Sequence, residues 1–178
     1  MRKRPQGKSR LVLVLGGAAS GKSERALQLA GLARPRAFVA TGQPLDREMM
    51  ERIERHQTER STDWTTAEVP VQLAAWFNKK GTKYRTVVID CLTFWLNNVG
   101  RRCQTKEAVN AMVDELVLAI RQIPATVVIV SNEIGMGLVP VGRVVRKFRD
   151  LAGSMNQRVA AAADEVYLVV SGQAMRLK

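Results

Sequence analysis

Cysteine, histidine and aromatic residues are scarce in this 178-residue chain: two cysteines, one histidine and 5% aromatics. Two cysteines, Cys91 and Cys103, make neither a disulfide framework nor a metal-binding one. Cys91 follows an apolar run and reads as a small buried hydrophobe. Few aromatics, and none interleaved with a basic patch, argue against a single-strand nucleic-acid platform. No apolar run approaches the roughly 20 residues that span a bilayer. The basic start MRKRPQGKSR is not followed by a long apolar segment before Gly16, so no secretory signal is expected. These absences fit a protein of the reducing cytoplasm. Acidic residues are also few, 16 against 28 Lys and Arg, for a net charge of +12. Five of those cations (Arg2, Lys3, Arg4, Lys8, Arg10) lie in the first ten residues. The charge therefore reads as a solvated, flexible basic tail over 1–10, attached to a body at 11–178 that handles anionic substrates. A nucleic-acid partner is not expected. Hydrophobic content of 46% excludes overall disorder, and the length suits one α/β domain with one sizeable core.

The strongest positive signal is LVLVLGGAASGKSERALQLA, starting at Leu11. It contains Gly16, Gly17, Ala18, Ala19, Ser20, Gly21, Lys22 and Ser23, a complete G-x-x-x-x-G-K-S phosphate loop. Five apolar residues precede it, as in a buried strand. Ala26, Leu27, Leu29 and Ala30 follow it at helical spacing. This strand–loop–helix context is what the motif requires. The glycines let the backbone curl so that its N–H groups face phosphate oxygens. The helix adds its positive end to the same spot. Lys22 would reach the outer phosphates and Ser23 would hold Mg2+.

Apolar runs and helical patterns alternate along the rest of the chain. Strands are expected at Leu11–Leu15, Ala37–Ala40, Thr86–Ile89, Thr126–Val130, Glu165–Val169 and, after the turn Ser171-Gly172, Ala174–Leu177. Helices are expected at 21–32, 45–60, 70–79, 105–121 and 141–162. In the last, Val141, Val144, Val145, Phe148, Leu151, Ala152, Met155 and Val159 mark one apolar face. Lys79–Lys83 reads as a charged loop. The alternation predicts an α/β fold of the P-loop NTPase kind, a mostly parallel sheet covered by helices in a single domain. Ligands bind such sheets beyond the carboxyl ends of the strands. Thr41–Gln43, Asp90–Thr93 and Ser131–Gly137 follow strands and are expected to face the loop.

Asp90 closes the apolar run Thr86–Ile89, the shape of a segment that anchors Mg2+ opposite Ser23. His56, the lone histidine, sits on a predicted helix with Arg52 and Arg60 four residues to either side. Two guanidiniums disfavour protonation of the imidazole and can hold phosphate oxygens bidentately. A neutral imidazole beside an anchored triphosphate can attack phosphorus, so His56 is a candidate covalent nucleophile as well as a candidate structural residue. Glu68 lies in a predicted edge strand with Trp64. A carboxylate there could accept guanine N–H groups or simply face solvent. Glu133 could bind Mg2+, act as a base, or cap the turn before Gly135.

Several segments together resemble the bifunctional adenosylcobinamide kinase/adenosylcobinamide-phosphate guanylyltransferase family. They are GGAASGKS at 16–23, VATGQPLDREMMERIERHQTER at 39–60, WTTAE at 64–68, VVIDCLT at 87–93, SNEIGMGLVP at 131–140 and FRDLAGSMNQRVAAAADEVYLVVSG at 148–172. The phosphate loop is widely shared, whereas the last two runs are specific. The resemblance implies a nucleotide site built from 16–23, from Ala40, Thr41 and Gly42, from Gln57, Thr58, Glu59 and Arg60, and from Glu68 and Asp90. It also implies that His56 becomes guanylylated. GTP is then the guanylyl donor, with ATP as kinase donor and Mg2+ as cofactor. The substrates it implies are adenosylcobinamide and its phosphate, and the assembly it implies is a homotrimer with sites between subunits. Two departures stand out: Ala19 where many relatives have Arg, and Asp90 where some have Glu. The readings that compete with this one are a P-loop small-molecule kinase without guanylyl transfer and a nucleic-acid-dependent ATPase.

Overall fold

The computed structural model describes residues 9–43, 63–100 and 105–178. Its elements in chain order are β1 (Arg10–Gly16), α1 (Lys22–Ala30), β2 (Arg36–Ala40), β3 (Trp64–Glu68), α2 (Leu73–Lys80), a 3-10 turn (Gly81–Lys83), β4 (Thr86–Asp90), α3 (Leu92–Gly100), α4 (Lys106–Arg121), β5 (Thr126–Asn132), α5 (Arg143–Ala162), β6 (Glu165–Val170) and β7 (Gln173–Arg176). The strands form one seven-stranded sheet in the order β3-β2-β4-β5-β1-β6-β7. All neighbours are parallel except β6 and β7.

The central strands are Val-, Ile- and Leu-rich because both of their faces are covered. On one face, Leu11, Leu13, Val87, Ile89, Val127 and Ile129 pack against apolar residues of α2, α3, α4 and α5. On the other, Val12, Val14, Phe38, Val88, Val128 and Val130 gather around Ala26 and Ala30 of α1. This alternation along each strand follows from successive side chains pointing to opposite faces. The expected doubly covered parallel sheet is therefore present in one domain.

Four details differ from the sequence reading. Arg10 belongs to β1 rather than to the basic tail, because its guanidinium pairs with Glu165 at 2.8 Å. The segment Leu92–Gly100, read as carrying no element, is α3; Leu92, Trp95, Leu96 and Val99 are buried, and the Trp95 indole N–H donates to the Val71 carbonyl at 2.7 Å. Lys80, expected in the loop after the helix at 70–79, instead ends α2 together with Lys79, where their charges suit the helix C-terminus. Finally, the apolar face assigned to 141–162 is buried only at Ala152, Met155 and Val159, with Val141, Val144 and Val145 exposed. The helix is also longer than the strand after it. A helix of 20 residues is about 30 Å long, whereas a strand of 6 residues is about 20 Å. The exposed Val144 and Val145 lie in the first turn of α5, ahead of Phe148, Leu151 and the buried residues that pack on the core. The predicted helix at 45–60 lies outside the described residues.

Candidate active site

The phosphate loop leaves the carboxyl end of β1 in the middle of the sheet. Gly16 is required there: a Cβ would come within 2.5 Å of Ser20 Oγ and 2.7 Å of the Val169 carbonyl. Gly21 has φ +87°, and Ala19 also takes a left-handed conformation at φ +52°. These turns curl the chain into α1. Gly17 faces open space, and Gly17, Ala18 and Ala19 are exposed. Among the described residues none accepts from the backbone N–H groups of Gly17 through Gly21. The Ser20 hydroxyl is buried without a hydrogen-bond partner. Lys22 opens α1, is buried, and donates from Nζ to the Gly17 carbonyl at 2.8 Å. Orphan donors, a helix N-terminus and an ammonium thus converge, which is the arrangement that binds a polyanionic phosphate chain.

The neighbouring strand ends complete the rim. In register, Ala40 of β2 faces Asp90 of β4 on one side and Glu68 of β3 on the other. Thr41 is fully buried and locks this corner. Its N–H donates to the Asp90 carbonyl at 3.1 Å, and its hydroxyl to the Cys91 carbonyl at 2.7 Å. Asn98 of α3 donates to the Thr41 carbonyl at 2.8 Å and the Pro70 carbonyl at 3.0 Å. Neither the Asp90 nor the Glu68 carboxylate accepts a hydrogen bond or ion pair from a described residue. The Cys91 thiol is pushed up to about 11, first by burial and then by the Asp90 charge, with Lys22 pulling the other way. Cys91 is therefore neutral, as expected of a buried small hydrophobe. Lys22 and Asp90 both lie close enough to Cys91 for their charges to act on it.

A buried polar network behind the rim was not singled out in the sequence. The Ser131 hydroxyl donates to Asn156 Oδ1 at 2.7 Å, and Asn156 Nδ2 donates to the Asn132 carbonyl at 3.1 Å. The Asn132 N–H donates to the Thr93 hydroxyl at 2.9 Å. This ties α3 and α5 to the end of β5. The available signal was one polar residue, Asn156, within the otherwise apolar core face of α5. Of the three readings of Glu133, the structure holds the cap: its carboxylate accepts from the Gly135 N–H at 2.8 Å. Its own N–H donates to the Gly16 carbonyl at 3.0 Å, fixing the turn beside the loop. Residues 16–23, 40–42, 68 and 90 thus share one end of the sheet. His56, Gln57, Thr58, Glu59 and Arg60 lie outside the described residues.

A glycine phosphate loop at the carboxyl end of a central parallel strand, facing an acidic strand end, defines a P-loop NTPase-like protein. In agreement, a KaiC-like protein from Pyrococcus horikoshii shares the fold, with a TM-score of 0.51 and 14% identity over 92% of this chain and 71% of that one. The sequence model of the cobinamide kinase/cobinamide phosphate guanyltransferase family matches residues 12–177, and the chain belongs to that family of transferases. It is 39% identical to the bifunctional adenosylcobalamin biosynthesis protein CobU of Escherichia coli, over 94% of this chain and 99% of the relative. The same values hold for CobU of Salmonella typhimurium. The bifunctional adenosylcobalamin biosynthesis protein CobP of Pseudomonas aeruginosa is 38% identical over 93% of this chain and 96% of its own length.

Proposed function

We propose that this enzyme phosphorylates the aminopropanol hydroxyl of adenosylcobinamide, and then transfers GMP from GTP to the new phosphate to give adenosylcobinamide-GDP. One observation carries the reading: the N–H groups of Gly17–Gly21, without an acceptor among the described residues, lie beside Lys22 and near Asp90, in a chain of the cobinamide kinase and guanyltransferase family. In the first reaction the loop and Lys22 hold the polyphosphate of ATP while the acceptor hydroxyl attacks the γ-phosphorus. The protein contributes positioning and charge neutralisation. In the second, His56 forms an N–P bond to the α-phosphorus of GTP and the α–β P–O bond breaks to release pyrophosphate. The phosphoramidate then passes GMP to an oxygen of adenosylcobinamide phosphate, freeing the imidazole. Two displacements let a modest nucleophile suffice at each. Lys22 and Ser23 serve both reactions; His56 serves the second.

Ser23 and Asp90 offer a hydroxyl and a carboxylate, hard oxygen donors that fit Mg2+, which takes its remaining ligands from phosphates and water. When bound, that ion neutralises polyphosphate charge. Gln57–Arg60, Ala40–Gly42 and Glu68 are read as the remainder of the nucleotide site. No described helix is long and apolar enough to cross a membrane, and we read the enzyme as cytoplasmic. The exposed apolar run from Met136 to Val145, in which Leu138 and Val141 are each 96% exposed, supports a homo-oligomer, read as a trimer.

The test separates the two activities. His56→Ala is expected to abolish GMP transfer while phosphorylation of adenosylcobinamide stays measurable. Equal loss of both activities in a folded variant contradicts the division of labour.

A further inference from the structure

The last strand pair makes an unusual contact with the phosphate loop. β6 and β7 are joined by only two residues, Ser171 and Gly172, with Val170 paired to Gln173. Both turn residues have positive φ, +49° and +78°, as a type I′ hairpin requires. That turn lies directly against the loop from outside. The Gly172 N–H donates to the Ser20 carbonyl at 2.9 Å. A Cβ on Gly21 would meet Gly172 Cα at 3.3 Å, and one on Gly16 would meet the Val169 carbonyl at 2.7 Å. One hydrogen bond at Ser20 and close approaches at Gly16 and Gly21 thus set the chain from Val169 to Gly172 against the loop.

We propose that the Ser171–Gly172 turn is a positioning element of the phosphate loop that sets triphosphate affinity in both transfers. β1 anchors one end of the loop and α1 the other. Between them, Gly17–Ala19 are exposed, and the Ser20 carbonyl is restrained by the Gly172 N–H alone among the described backbone groups. A loop whose N–H groups already point inward loses less conformational entropy when it closes on phosphate. The hairpin supplies that restraint at no cost in ligand contact, because its own geometry is fixed by strand pairing. Glycine at 172 permits φ +78°. Asparagine tolerates the same region, whereas a β-branched residue does not.

The inference rests on the reading that the loop takes a triphosphate, and Lys22→Ala tests that reading separately. Gly172→Val is expected to raise the KM for the triphosphate about tenfold in both reactions, with kcat changed much less. Gly172→Asn keeps the N–H and the left-handed conformation and is expected to restore the wild-type KM. In the wild-type enzyme, a non-hydrolysable GTP analogue is expected to slow amide exchange at Gly172 as well as in the loop. An unchanged KM in folded Gly172→Val overturns the proposal, as does a Gly172→Asn as impaired as the valine variant. If Gly172→Val does not fold, the exchange experiment decides, and no slowing at Gly172 on analogue binding overturns it. Should Lys22→Ala bind triphosphate normally, the loop reading itself fails.

Discussion

The two ends of the same sheet are built in opposite ways. At the amino ends of the strands, charges find partners. Arg10 of β1 pairs with Glu165 of β6 at 2.8 Å, and the Tyr167 hydroxyl donates to the same carboxylate at 2.9 Å. Asp164 accepts from Arg121 and from the Leu11 N–H, both at 2.8 Å. Arg36 at the start of β2 pairs with Asp63 at 2.8 Å, and the Thr86 hydroxyl at the start of β4 donates to the Ala33 carbonyl at 2.9 Å. At the carboxyl ends the inventory is incomplete. The loop N–H groups, the Ser20 hydroxyl and the carboxylates of Asp90 and Glu68 lack partners among the described residues. Of these groups only the Ser20 hydroxyl is buried, where an unmet polar group costs free energy; the others are open to solvent or partly so and are free to meet a ligand. One end is closed by its own side chains; the other is the end proposed to receive the nucleotide.

That contrast can be broken from either end. The largest effect is expected at the carboxyl end. Lys22→Ala removes the ammonium proposed to hold the outer phosphates and should lower kcat/KM about a hundredfold or more for both reactions. Its melting temperature should change much less, since Lys22 lies outside both apolar clusters of the core. Kinase and guanylyltransferase assays beside a thermal melt check this, and normal turnover of either reaction contradicts it.

The network behind the rim sits between the two regimes. Asn156→Ala leaves the Ser131 hydroxyl and the Asn132 carbonyl buried without their partner. It should cost about 1–3 kcal/mol, lowering the melting temperature by about 2–4 °C for each kcal/mol. Activity should fall as well, because Asn132 leads into the turn whose Glu133 N–H holds the Gly16 carbonyl.

The smallest effect belongs to the amino end. Glu165→Gln should cost about 1 kcal/mol or less and leave both activities intact. Arg10 is the main cause that holds the Glu165 carboxyl below the ordinary carboxylate range, with Tyr167 assisting. A depressed carboxylate contributes stability above its unfolded pKa, and that contribution is lost as pH falls through the folded value. The stability gap between wild type and Glu165→Gln should therefore narrow in acid. Denaturant melts at neutral pH and below pH 4 measure it; a gap that widens in acid would reverse the assignment.

What could be read from the sequence follows the same division. The carboxyl-end machinery is local in the chain: the phosphate loop is eight consecutive residues, and Asp90 directly ends an apolar run. The Ser171-Gly172 turn is likewise marked by two turn-forming residues between strands. Contacts that join distant segments were illegible. Asn156 meets Ser131 across 25 positions, and Arg10 meets Glu165 across 155, so neither pairing leaves a spacing to detect. Arg10 looked like part of a charge run for that reason. α3 was missed for a different cause. Leu92, Trp95, Leu96 and Val99 do recur at helical spacing, but the helix has only nine residues and begins two residues after β4 ends, so its apolar stripe reads as a continuation of the strand's apolar run. In α5 the period was real but only its later part is buried, since periodicity carries no information on where a sheet ends. His56, the proposed acceptor of GMP, was legible only through its arginine neighbours and the family resemblance.

The most direct test of the account is intact and peptide mass spectrometry of the enzyme after exposure to GTP and Mg2+, without the cobinamide substrate. The expected result is one GMP adduct per chain, acid-labile and alkali-stable, localised to His56 and absent in His56→Ala. No adduct, or a GMP adduct on another residue, would contradict it.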